Sequence, residues 1–301
     1  MADPVNHELY ALAQRGDAAQ VRAWFAQRPQ CDALDASVQR ALNVAIRNDH
    51  ERAVAEFPWC QDAYYSSRFD TLAHNAAHHG SVHVVAFFVA RKATTQVDLE
   101  RYLSHHMFRC AALSGHVSCV HLLVCLKADV NFQPLGECGA LHCAVQKGHT
   151  DVAQYLVRAN TNVNRPDIFG RTAVYVAASQ LREATLRALL DEHADINMTA
   201  PHHNVLTSDS LDKTALAAAV ANWCPDTVVK MLLRAKADVH AAGPAGITAL
   251  HYAAQHGRRR TARILVRAKA DLRATTIHGD TAEALACSTE VADFLRALAR
   301  R

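Results

Sequence analysis

The sequence has 301 residues and a formal net charge of +3, and half of its residues are hydrophobic although only 6% are aromatic. This charge is too small to make a nucleic acid or an anionic membrane the expected partner, and the low aromatic content disfavours a protein built from β-sheet. Nine scattered cysteines are typical of a reducing compartment, so we expect an intracellular protein of the cytoplasm or nucleus. The longest apolar run, 82–90, is too short to cross a bilayer, and no membrane insertion is expected.

A pattern of about 33 residues recurs along the chain. Its fullest form is Gly246-Ile-Thr-Ala-Leu-His-Tyr-Ala-Ala-Gln-His-Gly257, followed by an apolar run at 264–266 and by Lys269-Ala-Asp-Leu272. The residues that align with the threonine at 248 are spaced by 31 to 35 residues, except for one spacing of 42. A fixed period of this length predicts stacked structural repeats. The nine aligned positions, which we call the anchors, are His7, Arg40, Thr71, His106, Gly139, Thr172, Thr214, Thr248 and Thr281.

The first two repeats are degenerate. They keep apolar residues in register, but the second one loses its pattern at Phe57-Pro58-Trp59. Terminal repeats of a solenoid are atypical because they cover its ends. We therefore assign residues 1–66 to capping repeats and residues 67–301 to the solenoid.

Each repeat carries signals for two helices. The anchor threonine is a helix N-cap residue type, and the apolar residues after it follow helical spacing. A glycine stands nine residues after several anchors, where the chain must reverse, and a second apolar helix follows. We expect the first helix of each repeat to begin within about two residues of its anchor.

The C-terminal part is rich in arginine. The stretch Arg258–Arg267 covers the turn and second helix of one repeat, and a solvated helix face is its expected role. Binding of a nucleic acid or an anionic headgroup is the alternative, although no aromatic residues interleave to stack on bases. Residues 279–301 predict a C-terminal cap with a shortened pair of helices.

The period and the Thr-Ala-Leu-His-x-Ala pattern resemble the ankyrin-repeat family, except that alanine replaces the usual proline after the anchor. The resemblance implies an all-α solenoid of about nine helix-turn-helix units joined by β-hairpin-like loops. It also implies a non-enzymatic module, monomeric by expectation, that binds another protein. Such an adaptor, scaffold or inhibitor would use its hairpin fingers and its concave groove.

Under this resemblance, apolar residues at hairpin tips predict the partner-binding site. Two interpretations remain open: these side chains contact a partner, or they pack finger against finger within the solenoid. The long spacing adds an insertion within 198–212, which borders the same patch. The predicted partner-binding residues are Phe132, Leu135, Gln146, Lys147, Ile168, Phe169, Arg171, His202 and His203.

The sequence contains no recognisable catalytic or cofactor motif. We found no phosphate loop, dinucleotide fingerprint or paired Cys-x-x-Cys, so no catalytic residue and no cofactor is expected. Of the nineteen histidines, several occupy regular repeat positions. The pairs His78-His79, His105-His106 and His202-His203 lie outside them, where a pH-sensitive groove is favoured over a metal site because the ligand spacing for zinc is missing.

Overall fold

The computed structural model describes residues 4–28, 36–57, 60, 66–92, 107–133, 138–198, 214–243 and 245–299. In these residues seventeen helices and two isolated antiparallel β-bridges occur, and no sheet forms. The predicted all-α class is therefore confirmed. The chain divides into two compact units, which we call the N-terminal unit (Met1–Pro134) and the C-terminal unit (Leu135–Arg301).

The helices of the N-terminal unit follow one another in pairs. The first helices of successive pairs pack against each other, and so do the second helices, which gives two layers. The described helices of this unit are α1 (Pro4–Arg15), α2 (Ala18–Ala26), α3 (Ala36–Arg47), α4 (Glu51–Ala55), α5 (Ser66–His79), α6 (Val82–Lys92), α7 (Phe108–Ser114) and α8 (Val117–Cys125).

The C-terminal unit repeats this arrangement. Its first helices, α9, α11, α13 and α15, pack in a row, and each also packs against its own second helix. The described helices of this unit are α9 (Ala140–Lys147), α10 (Thr150–Arg158), α11 (Ala173–Ser179), α12 (Glu183–Asp191), α13 (Ala215–Ala221), α14 (Asp226–Arg234), α15 (Ala249–Gln255), α16 (Arg259–Arg267) and α17 (Thr289–Ala299).

Small side chains allow the first helices to be enclosed on several sides. Helix α13 reads Ala-Leu-Ala-Ala-Ala-Val-Ala, and its residues 215–220 are all buried. The second helices are amphipathic instead, and each contributes a few large residues such as Leu156 and Leu265, both fully buried. Because one repeat alone would expose these faces, the core exists only when neighbouring repeats stack.

The anchor positions predict the first helices well from residue 106 onward. Helices α7, α9, α11, α13 and α15 each begin one or two residues after their anchors. The prediction was wrong for α1, α3 and α5, which begin three to five residues before His7, Arg40 and Thr71. At these three anchors the helix runs on through the aligned position, so Thr71 lies inside α5 and does not start it.

Threonine anchors cap the helices of the C-terminal unit. The Thr172 Oγ1 accepts a hydrogen bond from the backbone N–H of Tyr175 at 3.2 Å, and the Thr214 Oγ1 accepts one from Ala217 at 3.2 Å. Such a bond satisfies one of the N–H groups that a helix start leaves without a partner. These short helices therefore have defined first turns.

The C-terminal cap differs from the prediction. The Thr281 Oγ1 still accepts a hydrogen bond from the N–H of Ala284 at 3.3 Å, but the chain then forms turns over 282–285 in place of a helix. Only α17 follows. The expected shortened pair of helices was therefore wrong, because the segment between Thr281 and Ser288 is too short for a hydrogen-bonded helix and a reversal. The predicted boundary at residue 66 stays a prediction.

Candidate functional site

The loops that precede the first helices form one edge of the C-terminal unit. We call residues 167–171, 243–247 and 276–280 the finger edge, and Pro244 lies outside the described residues. Backbone bridges between Ala242 and Thr248 and between Thr275 and Thr281 give two of these loops their β-hairpin character. The predicted β-hairpin-like connections are therefore confirmed.

One buried carboxylate orders the first finger. The Asp167 side chain is 1% exposed, and its Oδ1 accepts hydrogen bonds from the N–H groups of Phe169 at 2.9 Å and Arg171 at 2.8 Å. Its Oδ2 binds the Arg171 guanidinium at 2.8 and 2.9 Å. The Asp167 N–H donates to the Arg171 carbonyl at 2.9 Å, and Gly170 takes a positive φ of 76° to close the turn. This loop is fixed before any partner arrives.

The ordered finger presents two apolar side chains to solvent. Ile168 is 39% exposed and Phe169 is 50% exposed. The Arg171 guanidinium lies 4.7 Å from the centroid of the Phe169 ring, a cation–π contact that covers one ring face. The finger therefore combines an apolar tip with a charged side chain that is already held in place.

The last finger repeats this presentation. Ile277 is 68% exposed at the tip of the loop 276–280. Its N–H donates to the carbonyl of Ala245 at 3.1 Å, so the loop packs on its neighbour through the backbone and leaves the side chain outward. The Thr276 Oγ1 accepts from the N–H groups of His278 and Asp280 at 3.2 and 3.3 Å, a role that Asp167 has in the first finger.

Buried histidines connect the first helices to the finger edge. The His142 Nε2 lies 3.0 Å from the carbonyl oxygen of Arg171, and the His251 Nε2 lies 3.3 Å from that of Asp280. The His251 Nδ1 accepts from the Thr248 N–H at 3.1 Å, so the Nε2 carries the proton that it donates. Burial lowers the pKa of both histidines below their ordinary value. Neutral imidazoles therefore hold these loops.

The opposite ends of the first helices form a second edge. We call residues 146–148, 180–182, 222–225 and 256–260 the turn edge. Here Arg182 donates to the carbonyl of Gln146 at 3.4 Å, and Arg258 donates to the carbonyls of Val220 at 3.1 Å and of Cys224. In the N-terminal unit histidines make the corresponding contacts, from His50 to the carbonyl of Gln14 at 3.0 Å and from His116 to that of His78 at 2.9 Å.

The predicted site residues fall into separate places. Ile168, Phe169 and Arg171 lie together on the finger edge. Gln146 and Lys147 are exposed on the turn edge, at the other end of α9 and about 10 Å away along its axis. Phe132 is half-buried in the N-terminal unit. The remaining predicted residues, Leu135, His202 and His203, lie outside the described residues, as does 199–212 of the insertion.

A family model described as ankyrin repeats in three copies matches residues 108–200 and 215–301, which together make up more than half of the chain. The chain belongs to the ankyrin-repeat family. Ankyrin repeats generally form a non-enzymatic protein-interaction module.

Other ankyrin-repeat proteins share this region. The chain is 31% identical over 176 residues to the E3 ubiquitin-protein ligase XBAT33 of Arabidopsis thaliana, covering 57% of this chain and 30% of that protein. It is 30% identical over 231 residues to the human B-cell lymphoma 3 protein, covering 64% of this chain and 49% of that one. The chain thus spans less than half the length of these relatives.

A solved ankyrin-repeat structure also matches the fold. The ankyrin repeat domain of Bcl-3, described as a unique member of the IkappaB protein family, aligns with a TM-score of 0.64 at 26% identity. The alignment covers 74% of this chain and 97% of the Bcl-3 domain. The solenoid architecture is therefore shared across nearly the whole of that domain.

Most arginines of the stretch 258–267 in this ankyrin-repeat chain contact other residues of the fold. The Arg258 side chain is 11% exposed and serves the inter-repeat contact described above. Arg260 and Arg267 are exposed. Partners within the same unit hold three of the five arginines: Arg258 lies 3.7 Å from Asp226, Arg259 binds Glu290 at 2.6 Å and covers Phe294, and Arg263 also covers Phe294.

The described residues offer little reactive chemistry. They contain no group of three or more His, Cys, Asp or Glu side chains that could hold a metal ion. Burial raises the pKa of the Cys119 thiol to about 12 and that of Cys224 to about 11, so neither forms the thiolate that nucleophilic chemistry needs. His78 and His79 contact each other edge to face, and burial lowers the pKa of His79. None of the described helices is both long enough and apolar enough to traverse a bilayer.

Sequence reasoning missed three exposed apolar residues. Ile277 stands in Thr276-Ile-His-Gly-Asp280 where Ile168 stands in Asp167-Ile-Phe-Gly-Arg171, so aligning the two loops would have found it. Leu181 and Trp223, which are 50% and 63% exposed, stand nine residues after their anchors, where five other repeats have glycine. The departure from glycine was the signal for both.

Proposed function

We propose that this chain binds another protein through its finger edge, with Ile168 and Phe169 as the central anchors. The main support for this proposal is that both side chains are exposed on a loop which the buried Asp167 already holds rigid. Aromatic anchors surrounded by polar groups dominate the binding energy of many protein interfaces. A preformed loop also loses little conformational entropy on binding.

Arg171 supports this role from the side of the finger. Its guanidinium is shared between the Asp167 carboxylate and the Phe169 ring, so its position is set in the free protein. The exposed Ile277 supplies a second apolar contact on the same edge. Phe132, Leu135, His202 and His203 remain predicted contributors, as do Gln146 and Lys147, whose place on the turn edge suits a partner that reaches the concave groove.

The proposal describes a monomeric adaptor, scaffold or inhibitor that acts by occupying a partner's surface. The scattered cysteines favour the cytoplasm or nucleus as its compartment. Nucleic-acid or headgroup binding through Arg258–Arg267 has weaker support, because three of its five arginines are already held by partners within the unit.

The test is a double substitution on the finger, Ile168→Ala with Phe169→Ala. The partner is first identified by affinity purification of the wild-type chain from its native cells and then measured by calorimetry. We expect the double variant to bind at least about tenfold more weakly. Its free energy of unfolding should stay within about 0.5 kcal/mol of the wild type, because both side chains are exposed.

Two controls make the result specific. Leu181→Ala removes an exposed apolar side chain from the other edge and should leave this affinity unchanged. Phe132→Ala tests the predicted contribution from the N-terminal unit separately. Full affinity in a well-folded double variant would contradict the finger site, whereas a large loss of stability would show that the two side chains pack within the solenoid.

A further inference from the structure

The turn between the two helices of a repeat imposes one backbone requirement. The residue nine places after the anchor reverses the chain, and at every described turn of this kind it has a positive φ. This left-handed region favours glycine because a side chain there collides with the backbone. The residues at this position are Gly16, Asp49, Gly80, Gly115, Gly148, Leu181, Trp223 and Gly257.

Two successive repeats break the rule with bulky apolar residues. Leu181 has a φ of 62° and Trp223 a φ of 60°. Neither is compensated by burial, since the two residues are 50% and 63% exposed. The Trp223 ring contacts the ring of His256 at a centroid distance of 5.4 Å and otherwise faces solvent. Polar residues such as Lys127 and Lys236 take the same conformation at other turns, so these two positions are set apart by exposed apolar side chains, which packing within the fold does not account for.

The charges around these residues are not balanced. The carboxylates on the turn edge already have partners, while several cations have none. Lys147 and Arg260 are exposed with no carboxylate within ion-pair distance among the described residues, and Arg182 contacts only a carbonyl. Three carboxylates that border the turn edge are held by side chains: Glu183 by Arg187 and Thr227, Asp226 by Arg258 and Thr261, and Glu290 by Arg259. The fourth, Asp151, accepts from the N–H of Val152.

We propose that the turn edge is a second docking surface, which takes an acidic segment of another protein through Leu181 and Trp223. The two apolar side chains supply the contact area, and Lys147, Arg182 and Arg260 supply the complementary charge. This surface lies at the opposite end of the first helices from the finger edge. It therefore goes beyond the proposed function, with which it shares Lys147 alone, and its apolar pair is tested separately from the finger anchors.

The geometry also suggests how the segment is spaced. Leu181 and Trp223 follow α11 and α13, which pack side by side, and packed helix axes lie about 8 to 10 Å apart. A polyproline II chain rises about 3.1 Å per residue and returns to the same face every third residue, so two apolar residues three places apart would meet both side chains. Acidic residues on either side of this pair would face the three cations. A phosphate backbone would use the charges but not this apolar pair, whereas a lipid surface would use both but would require no fixed spacing between them.

Selection from a phage-displayed library of random peptides tests the proposal. The library is selected on the full wild-type chain after depletion on the double variant Leu181→Gly with Trp223→Gly. We expect enriched peptides that are acidic and carry two apolar residues about three positions apart. The best of them, labelled with fluorescein, should bind Trp223→Gly at least about tenfold more weakly than they bind the wild type. High salt should weaken their binding to the wild type, because the cations contribute to it. Arg260→Glu should also weaken it, by several-fold.

Glycine is the sharpest substitution here because other repeats already use it at this position. Trp223→Gly and Leu181→Gly relieve the left-handed strain, so their melting temperatures should equal or exceed that of the wild type. Loss of binding together with unchanged or increased stability is the expected signature. A melting temperature several degrees below that of the wild type would show that these side chains stabilise the fold, and it would overturn the proposal.

Further outcomes separate this surface from its alternatives. Phe169→Ala should bind the selected peptides as the wild type does, so failure of one surface is distinguishable from failure of the other. No peptide enrichment over the depleted variant, or enrichment of neutral or basic peptides, would overturn the proposal. Single-stranded oligonucleotides and phosphatidylserine vesicles complete the test, and binding to either that is lost in Trp223→Gly would assign the surface to that ligand instead.

Discussion

The finger edge and the turn edge of the C-terminal unit both present apolar side chains to solvent, but their backbones differ. In the first finger Gly170 takes the left-handed conformation, and Ile168 and Phe169 keep ordinary backbone angles. On the turn edge Leu181 and Trp223 take that conformation themselves. An exposed apolar residue thus adds no strain on one edge and destabilises the chain on the other.

This difference changes how a substitution should be interpreted. On the finger edge, removing an exposed side chain should change binding and leave stability almost unchanged. On the turn edge, glycine should change binding and leave stability unchanged or increased, because relief of the left-handed conformation, about 1 to 2 kcal/mol for a bulky residue, offsets the greater chain entropy of glycine in the unfolded state. Measuring stability beside affinity therefore identifies which kind of exposed residue has been removed.

The two edges also hold neighbouring repeats by different groups. Buried neutral imidazoles of His142 and His251 donate to the finger loops. Guanidinium groups of Arg182 and Arg258 donate to helix carbonyls at the turns. An imidazole can take up a proton near neutral pH whereas a guanidinium does not lose one, so of these contacts between repeats only those of the finger edge depend on pH in this range.

The largest expected effect concerns the core that both edges share. Leu156→Ala or Leu265→Ala should lower the free energy of unfolding by about 2 to 5 kcal/mol, because each fully buried leucine fills the second-helix layer. Urea melts of the single variants measure this cost. Values under about 0.5 kcal/mol for both would mean that the repeats do not stack as described.

A smaller effect is expected from the carboxylate that orders the first finger. Asp167→Ala should lower the free energy of unfolding by about 1 to 3 kcal/mol, because it leaves two backbone N–H groups and the Arg171 guanidinium without their acceptor. The matched control is Asp195→Ala, which removes an exposed aspartate that accepts from the Asn197 N–H. Equal melting curves for the two variants would show that the finger is not held by Asp167.

The smallest expected effect is a pH dependence confined to the buried histidines. Unfolded histidines take up protons below about pH 6.5, whereas His142 and His251 in the fold resist protonation to lower pH. The unfolded state then binds more protons, so the free energy of unfolding should fall as the pH drops from about 7 toward the lowered pKa, by about 1 kcal/mol.

Urea melts at about pH 7.5 and about pH 5.5 measure this fall. The double variant His142→Gln with His251→Gln keeps an N–H donor at both positions without a titrating group, and its loss of stability over this range should be smaller. An identical loss in the wild type and the double variant would assign the pH dependence to other histidines, such as His79.

The sequence was sufficient to predict most of the fold, because the repeat encodes it locally. A threonine N-cap, an apolar helical stripe and a turn residue recur at fixed offsets, and each has a direct backbone consequence. The starts of α1, α3 and α5 could not be found in this way, since their anchors are not caps. The single helix after Thr281 was also missed, because the period alone does not show that α17 begins eight residues after its anchor, where the other second helices of the unit begin eleven or twelve residues after theirs.

The candidate site was only partly predictable. Ile168 and Phe169 were found because apolar residues at a hairpin tip are unusual in any repeat. Gln146 and Lys147 were grouped with them as part of the adjoining first-helix surface, although they stand seven and eight residues after the anchor and so at the far end of α9. Leu181 and Trp223 were overlooked, since an apolar residue after a helix looks like core until its φ and its exposure are known.

The contacts between successive repeats have a consequence for synthesis of the chain. In each contact made by His50, His116, Arg182 or Arg258, the carbonyl acceptor lies in the earlier repeat, and the donor follows 34 to 38 residues later. The acceptor therefore leaves the ribosome before its donor, and no contact of this kind waits for the C-terminus. Contacts between residues that are close in sequence favour fast folding. A nascent chain can add its repeats one at a time onto a structured predecessor, so little apolar surface is exposed during translation.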